Sequence, residues 1–150
     1  MNFNDLKTFL IAAKKRGYAS NGELSAVKEE DGSKSTRYEQ GVWKFHDNWF
    51  GGEPFGGREV VFYKKIPYWL MVYYGSESKK TENLIIFLIK ALRVIPKEMP
   101  IRGPKTFEEK AFLYKNLWEG TIDKFIGKET IYCNGKEVYQ AKYIGGLIDH

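Results

Sequence analysis

The chain is predicted to be an α+β protein built from a duplicated α-β-β-β unit, an antiparallel sheet of about six strands with two helices packed on one face. Three observations carry this. First, Phe55–Gly75 (FGGREVVFYKKIPYWLMVYYG) and Phe125–Gly145 (FIGKETIYCNGKEVYQAKYIG) align without a gap at a constant offset of 70 residues. Phe55/Phe125, Gly57/Gly127, Glu59/Glu129, Tyr73/Tyr143 and Gly75/Gly145 are identical. Second, an apolar segment of helical period precedes each copy, and Phe9-Leu10-Ile11 is echoed by Phe87-Leu88-Ile89. Third, the stretches between alternate in polarity as strands do.

Each element follows from local chemistry. Residues 3–16 place Phe3, Leu6, Phe9, Leu10 and Ala13 on one helical stripe. Asn2 or Asn4 caps the start, Lys14-Lys15-Arg16 form a solvated basic flank at the negative end, and Gly17 stops the helix. Residues 17–37 are polar and read as a long loop, either a lid over a site or a surface excursion. Residues 38–50 form one strand, with Trp43, Phe45, Asp47 and Trp49 on one face. Gly51 to Pro54 and Gly56-Gly57 make the next connection as turn residues. Residues 58–64 and 67–75 form a hairpin, matched in the second copy by strands 128–133 and 136–144 about an Asn134-Gly135 turn. The second helix spans 81–95, capped by Thr81, ended by Pro96 and apolar enough to be buried on more than one side. Residues 96–106 are a proline-rich connector, and 112–118 alternate again.

With 150 residues the chain reads as one domain over 1–150, with pseudo-repeats at about 3–75 and 81–146. An aromatic fraction of 16% implies a core rich in Phe, Tyr and Trp. A single cysteine, Cys133, excludes an internal disulfide and fits a reducing compartment. No signal peptide opens the chain and no apolar run is long enough for a bilayer, so it reads as soluble and cytoplasmic, without a membrane partner. The formal charge is +5, but the bases are scattered among acids, which argues against direct nucleic-acid binding.

Duplication implies a pseudo-twofold seam, with equivalent residues of both copies lining a cleft there. Glu59 and Glu129 would meet at that seam as a carboxylate pair, for acid–base chemistry or for binding a cation among aromatic walls. The alternative is that each Glu pairs with a neighbouring base, and for catalysis this is favoured because no nucleophile is evident. Strand 67–75 is apolar on both faces, and Tyr68, Leu70, Val72 and Tyr74 need a cover: a dimer partner, the 17–37 loop or a ligand, protein being favoured. Adjacent His46 and Asp47 point to opposite faces of a strand and form no dyad. Cys133 reads as a packing residue, and His150 as terminal and disordered. Two histidines and one cysteine leave no closed zinc site, and neither a phosphate loop nor a dinucleotide fingerprint is present, so no cofactor is expected.

The string Tyr38-Glu39-x-Gly41-x-Trp43, then Asp47-x-x-x-Gly51-Gly52-x-x-Phe55-x-Gly57-x-Glu59, then Tyr73-Tyr74-Gly75, a helix ending in Pro96, Arg102-Gly103-Pro104, Phe125-x-Gly127-x-Glu129 and Tyr139-x-x-x-Tyr143-x-Gly145-Gly146 resembles an uncharacterised bacterial and archaeal domain. The likeness runs from Leu6 to Ile148. That family also occurs behind Xre-type helix-turn-helix modules, which implies by association a sensing role beside such a regulator. The outline is also similar to effector-binding domains of the gyrase-inhibitor type, tandem strand–helix–strand–strand units whose cleft holds cationic or aromatic ligands near a glutamate. The expected function is therefore a small-molecule-binding or sensor domain. Trp43, Trp49, Trp69, Tyr73 and Trp118 are the expected walls, and Glu59 and Glu129 the polar anchors. The alternative is an interaction or homodimerisation module docking through 67–75. An enzyme using the paired glutamates stands last.

Overall fold

The computed structural model describes residues 2–19 and 26–149. Two helices, α1 (Phe3–Ala19) and α2 (Leu84–Arg93), accompany nine strands: β1 (Val27–Lys28), β2 (Lys34–Gln40), β3 (Trp43–Gly51), β4 (Phe55–Tyr63), β5 (Ile66–Glu77), β6 (Thr106–Glu109), β7 (Phe112–Thr121), β8 (Lys124–Cys133) and β9 (Lys136–Leu147). They form one antiparallel sheet in the order β1-β2-β3-β4-β5-β9-β8-β7-β6.

The sheet thus has nine strands, not six, and five of them follow α1 and four follow α2, so the two parts are not equal α-β-β-β units. The stretch 38–50 is split by a turn with Gly41 at positive φ, and the expected 17–37 loop contributes β1 and most of β2. Residues 20–25 of that loop, and His150, lie outside the described residues. β2 (KSTRYEQ) and β6 (TFEE) lie toward the sheet's two ends, where little apolar surface is buried, so they lack the apolar alternation that announces a central strand. Each helix precedes an uninterrupted meander, which departs from the strand–helix–strand–strand order of the gyrase-inhibitor type.

The two hairpins agree in detail. Lys64-Lys65 and Asn134-Gly135 all have positive φ, the signature of a two-residue type I′ turn. Register slips between Val61 and Phe62 in one hairpin and between Ile131 and Tyr132 in the other. β5 and β9 meet at the middle of the sheet, with Tyr73 opposite Tyr143. Gly56 and Gly57 lie inside β4 rather than in the connection.

Both helices pack on the face carrying Val61, Trp69, Met71, Tyr139 and Ala141. The α1 stripe Leu6, Phe9, Leu10 and Ala13 joins Phe45, Trp69, Met71 and Phe125. Leu84, Phe87, Leu88, Ala91 and Leu92 of α2 join Tyr114, Ile131 and Tyr139, with Cys133 packed at the margin. α1 runs through Gly17. α2 starts later than expected, after Asn83 rather than Thr81, and Ile85 and Ile86 are exposed, so it is buried along one stripe. The connector after Pro96 is part of the core: Met99, Ile101 and Arg102 are buried against the helix face.

Candidate functional site

The repeated motif acquires a physical meaning in the sheet. Phe55 lies opposite Gly75 and Gly57 opposite Tyr73; Phe125 lies opposite Gly145 and Gly127 opposite Tyr143. Each ring covers the glycine across from it. A Cβ on Gly57 would stand 2.7 Å from Tyr73 Oη, and one on Gly75 or Gly145 would stand 2.7 Å from the Cζ of Phe55 or Phe125. Glycine is needed because a ring occupies the place of its side chain. The tyrosines therefore reach one strand further: Tyr73 Oη donates to Asp47 Oδ1 at 2.6 Å, and Tyr143 Oη donates to Asn116 Oδ1 at 2.6 Å.

Beneath these rings lie two buried charge clusters. Glu129 is fully buried and accepts from Arg102 Nε at 3.1 Å, Arg102 Nη2 at 2.5 Å, Tyr114 Oη at 2.7 Å and Tyr139 Oη at 2.9 Å. Burial, together with this carboxylate, pushes both tyrosine hydroxyls far above their usual range. Glu59 is also buried, and Lys14 Nζ stands 2.8 Å from its Oε2. That contact is an ion pair without hydrogen-bond alignment, since Oε2 has no hydrogen-bond donor, whereas Lys14 donates to the Ile101 carbonyl. Burial pulls the Lys14 pKa down, and Glu59 opposes the shift. Asp47 sits directly across from Glu59 on the neighbouring strand. Enclosure first, then repulsion by Glu59, raises its pKa from 3.8 to about 7.

The two glutamates do not form a carboxylate pair. Each is held by its own cation. In register, Glu59 leads through Met71 and Gly145 to Phe125, four residues along β8 from Glu129. At sheet spacings they are roughly 19 Å apart. The seam between them is filled on the helix face by Met71, Tyr73 and Tyr143. Lys14 is part of this buried set rather than a solvated flank.

The expected aromatic walls are dispersed. Trp49, Tyr73 and Trp118 share one row, Trp49–Gly57–Tyr73–Tyr143–Gly127–Trp118, running across six strands. Trp69 is completely buried and donates from Nε1 to the Ile122 carbonyl at 2.9 Å. Trp43 stacks on Phe9 at 5.5 Å, away from that row. Lys105 Nζ lies 5.6 Å from the Trp118 ring centre. His46 and Asp47 do project to opposite faces, Asp47 to the helix side; His46 Nε2 is buried without a hydrogen bond, and enclosure, then Arg37 and Arg58, lower its pKa.

An accessible concavity lies on the face opposite the helices. A groove of about 740 Å³ runs over β5, β9, β8 and β7, lined by Val72, Tyr74, Leu117, Ile126, Lys128 and Ile144 among others. Val72, Tyr74, Leu117, Ile126 and Ile144 are all exposed, Leu117 to 72%. Sequence reasoning flagged Val72 and Tyr74 but missed Leu117, Ile126 and Ile144. It also missed the roles of Lys14, Asp47, Arg102 and Asn116; the available signals were Asp47 and Arg102-Gly103-Pro104 within the family string. Among the described residues no group of His, Cys, Asp and Glu converges to hold a metal ion. Among the described residues no helix is long and apolar enough to cross a membrane.

Residues 47–148 match a protein family described as "Domain of unknown function (DUF5680)". Neither the curated proteins nor the solved structures returned a match.

Proposed function

We propose that this chain, which belongs to the DUF5680 family, is a binding module that takes a small, largely apolar molecule on its uncovered sheet face. One observation carries the reading: exposed aliphatic side chains line a groove of about 740 Å³ at the β5–β9 junction. That volume is in the range of small-molecule sites, roughly 300–1,000 Å³. Contiguous exposed apolar surface costs solubility and marks a place where something binds. The groove lies at the junction of the two hairpins, and its walls are mainly aliphatic. Glu59 and Glu129 are engaged by Lys14 and Arg102 and offer no anchor to a guest, so neither paired-glutamate catalysis nor capture of a cation by them is retained.

A sensing role beside a helix-turn-helix regulator fits this reading, occupancy of the groove being the signal. The second reading is homodimerisation through the same face, favoured by the prominence of Leu117 and Tyr74. A thermal-shift series of small apolar compounds separates the two. A binder should raise the melting temperature of the native chain and not of Leu117→Glu. A mass that rises with concentration in light scattering, abolished by Leu117→Glu and without any ligand hit, would establish the dimer instead.

A further inference from the structure

Two registered rows of side chains define the floor of the groove. One row is Val72–Ile144–Ile126, continued by Arg58 on β4 at one end and Glu119 on β7 at the other. The adjacent row is Tyr74–Lys142–Lys128–Leu117. Lys128 and Lys142 are therefore direct cross-strand neighbours, flanked by an exposed Tyr and an exposed Leu. Direct partners on a strand pair have Cβ atoms about 5 Å apart, and like charges there are destabilising. Among the described residues neither lysine side chain has an ion pair or a hydrogen bond. Lys44 on β3, by contrast, is paired with Glu39 at 2.9 Å. The groove carries two bases, Lys128 and Lys142, against one acid, Glu119, and Arg58 adds a third positive charge at the end of the Val72 row.

We propose that the guest of this groove is an amphiphilic anion, a carboxylate on an aliphatic body, with its acid group between Lys128 and Lys142 and its chain along Ile144, Ile126 and Val72. This rests on the groove being a small-molecule site. The two lysines supply up to six N–H donors to one carboxylate, and the charge-assisted bonds replace their mutual repulsion. The aliphatic row supplies the apolar contact but discriminates little between guests, so the head group sets selectivity. Tyr74 and Leu117 flank the head-group position on its two sides. The guest's charge is thereby the reverse of one that a glutamate anchor would select.

The test uses three probes of equal chain length, decanoate, 1-decanol and decylamine, titrated into the native chain, Lys142→Met and Lys128→Met. Decanoate should bind at least ten-fold more tightly than decanol, and decylamine more weakly than either. In both lysine variants decanoate should fall to the level of decanol, with decanol itself unchanged. Each variant without ligand should melt no lower than the native chain, because a repulsive pair has been relieved. Equal binding of all three probes, or tightest binding of decylamine, would overturn the anion assignment and leave the groove standing as an apolar site. No binding of any probe would overturn the groove reading itself. Co-sedimentation with phosphatidylglycerol vesicles without decanoate binding would replace the small guest by an anionic lipid surface and overturn the proposal.

Discussion

The Asp47→Asn substitution should stabilise the protein at neutral and alkaline pH, although it removes a buried-side acid. The two halves of the helix face differ at this position. Tyr143 donates to the neutral Asn116, whereas Tyr73 donates to Asp47, which faces Glu59 across the strand pair. The Asp47 pKa rises from 3.8 to about 7 on folding, enclosure being the larger cause and Glu59 the next. Between these values the folded state binds one more proton than the unfolded state, so stability is full below about pH 4 and is lost as pH rises through about 7. Three pH units at about 1.4 kcal/mol each set an upper limit of about 4 kcal/mol. Asp47 is only part-buried as a residue, and screening reduces the expected effect to about 2 kcal/mol. Asparagine keeps the Oδ1 acceptor for Tyr73 and carries no charge. Urea unfolding from pH 4 to pH 9 should show equal stabilities near pH 4 and a variant about 2 kcal/mol more stable at pH 8. A variant less stable than the native chain at pH 8, or a difference independent of pH, would refute the account of Asp47 as a strained acid.

Arg102→Met leaves Glu129 buried with only its two tyrosine donors and should cost about 3–5 kcal/mol, a fall of roughly 10 °C in melting temperature. Adding Glu129→Gln to that variant should recover part of the loss in the same calorimetric scan. Gly127→Ala places a methyl group in the ring of Tyr143 and should destabilise by about 1–3 kcal/mol in chemical denaturation. Replacing Lys64-Lys65 by Asn-Gly should stabilise by about 1 kcal/mol, because both lysines occupy positive φ and the second hairpin makes the same turn with Asn134-Gly135.

Much of the fold was legible because it rests on local chemistry. The helical stripe of Leu6, Phe9, Leu10 and Ala13 and the two hairpins follow from side-chain period and turn residues, which neighbouring residues suffice to express. The outer strands β2 and β6 were not legible, since pairing there depends on a partner strand and not on their own polarity. The glycine–aromatic pattern was visible at a spacing of 70 residues, but its cause was not. Gly57 read as a turn, and only the register β4–β5 puts the Tyr73 ring where its side chain would be.

By itself the sequence determined the helices and the hairpins, which are written in residues close along the chain, and the recurrence of Phe, Gly, Glu, Tyr and Gly, which needs only a comparison of two stretches. The tertiary structure decided which charges meet. Lys14 and Glu59 lie 45 positions apart, Arg102 and Glu129 lie 27 apart, and Lys128 and Lys142 are joined only by register. Electrostatic contact depends on distance in space, and a folded sheet brings together residues whose separation in the chain carries no trace of it.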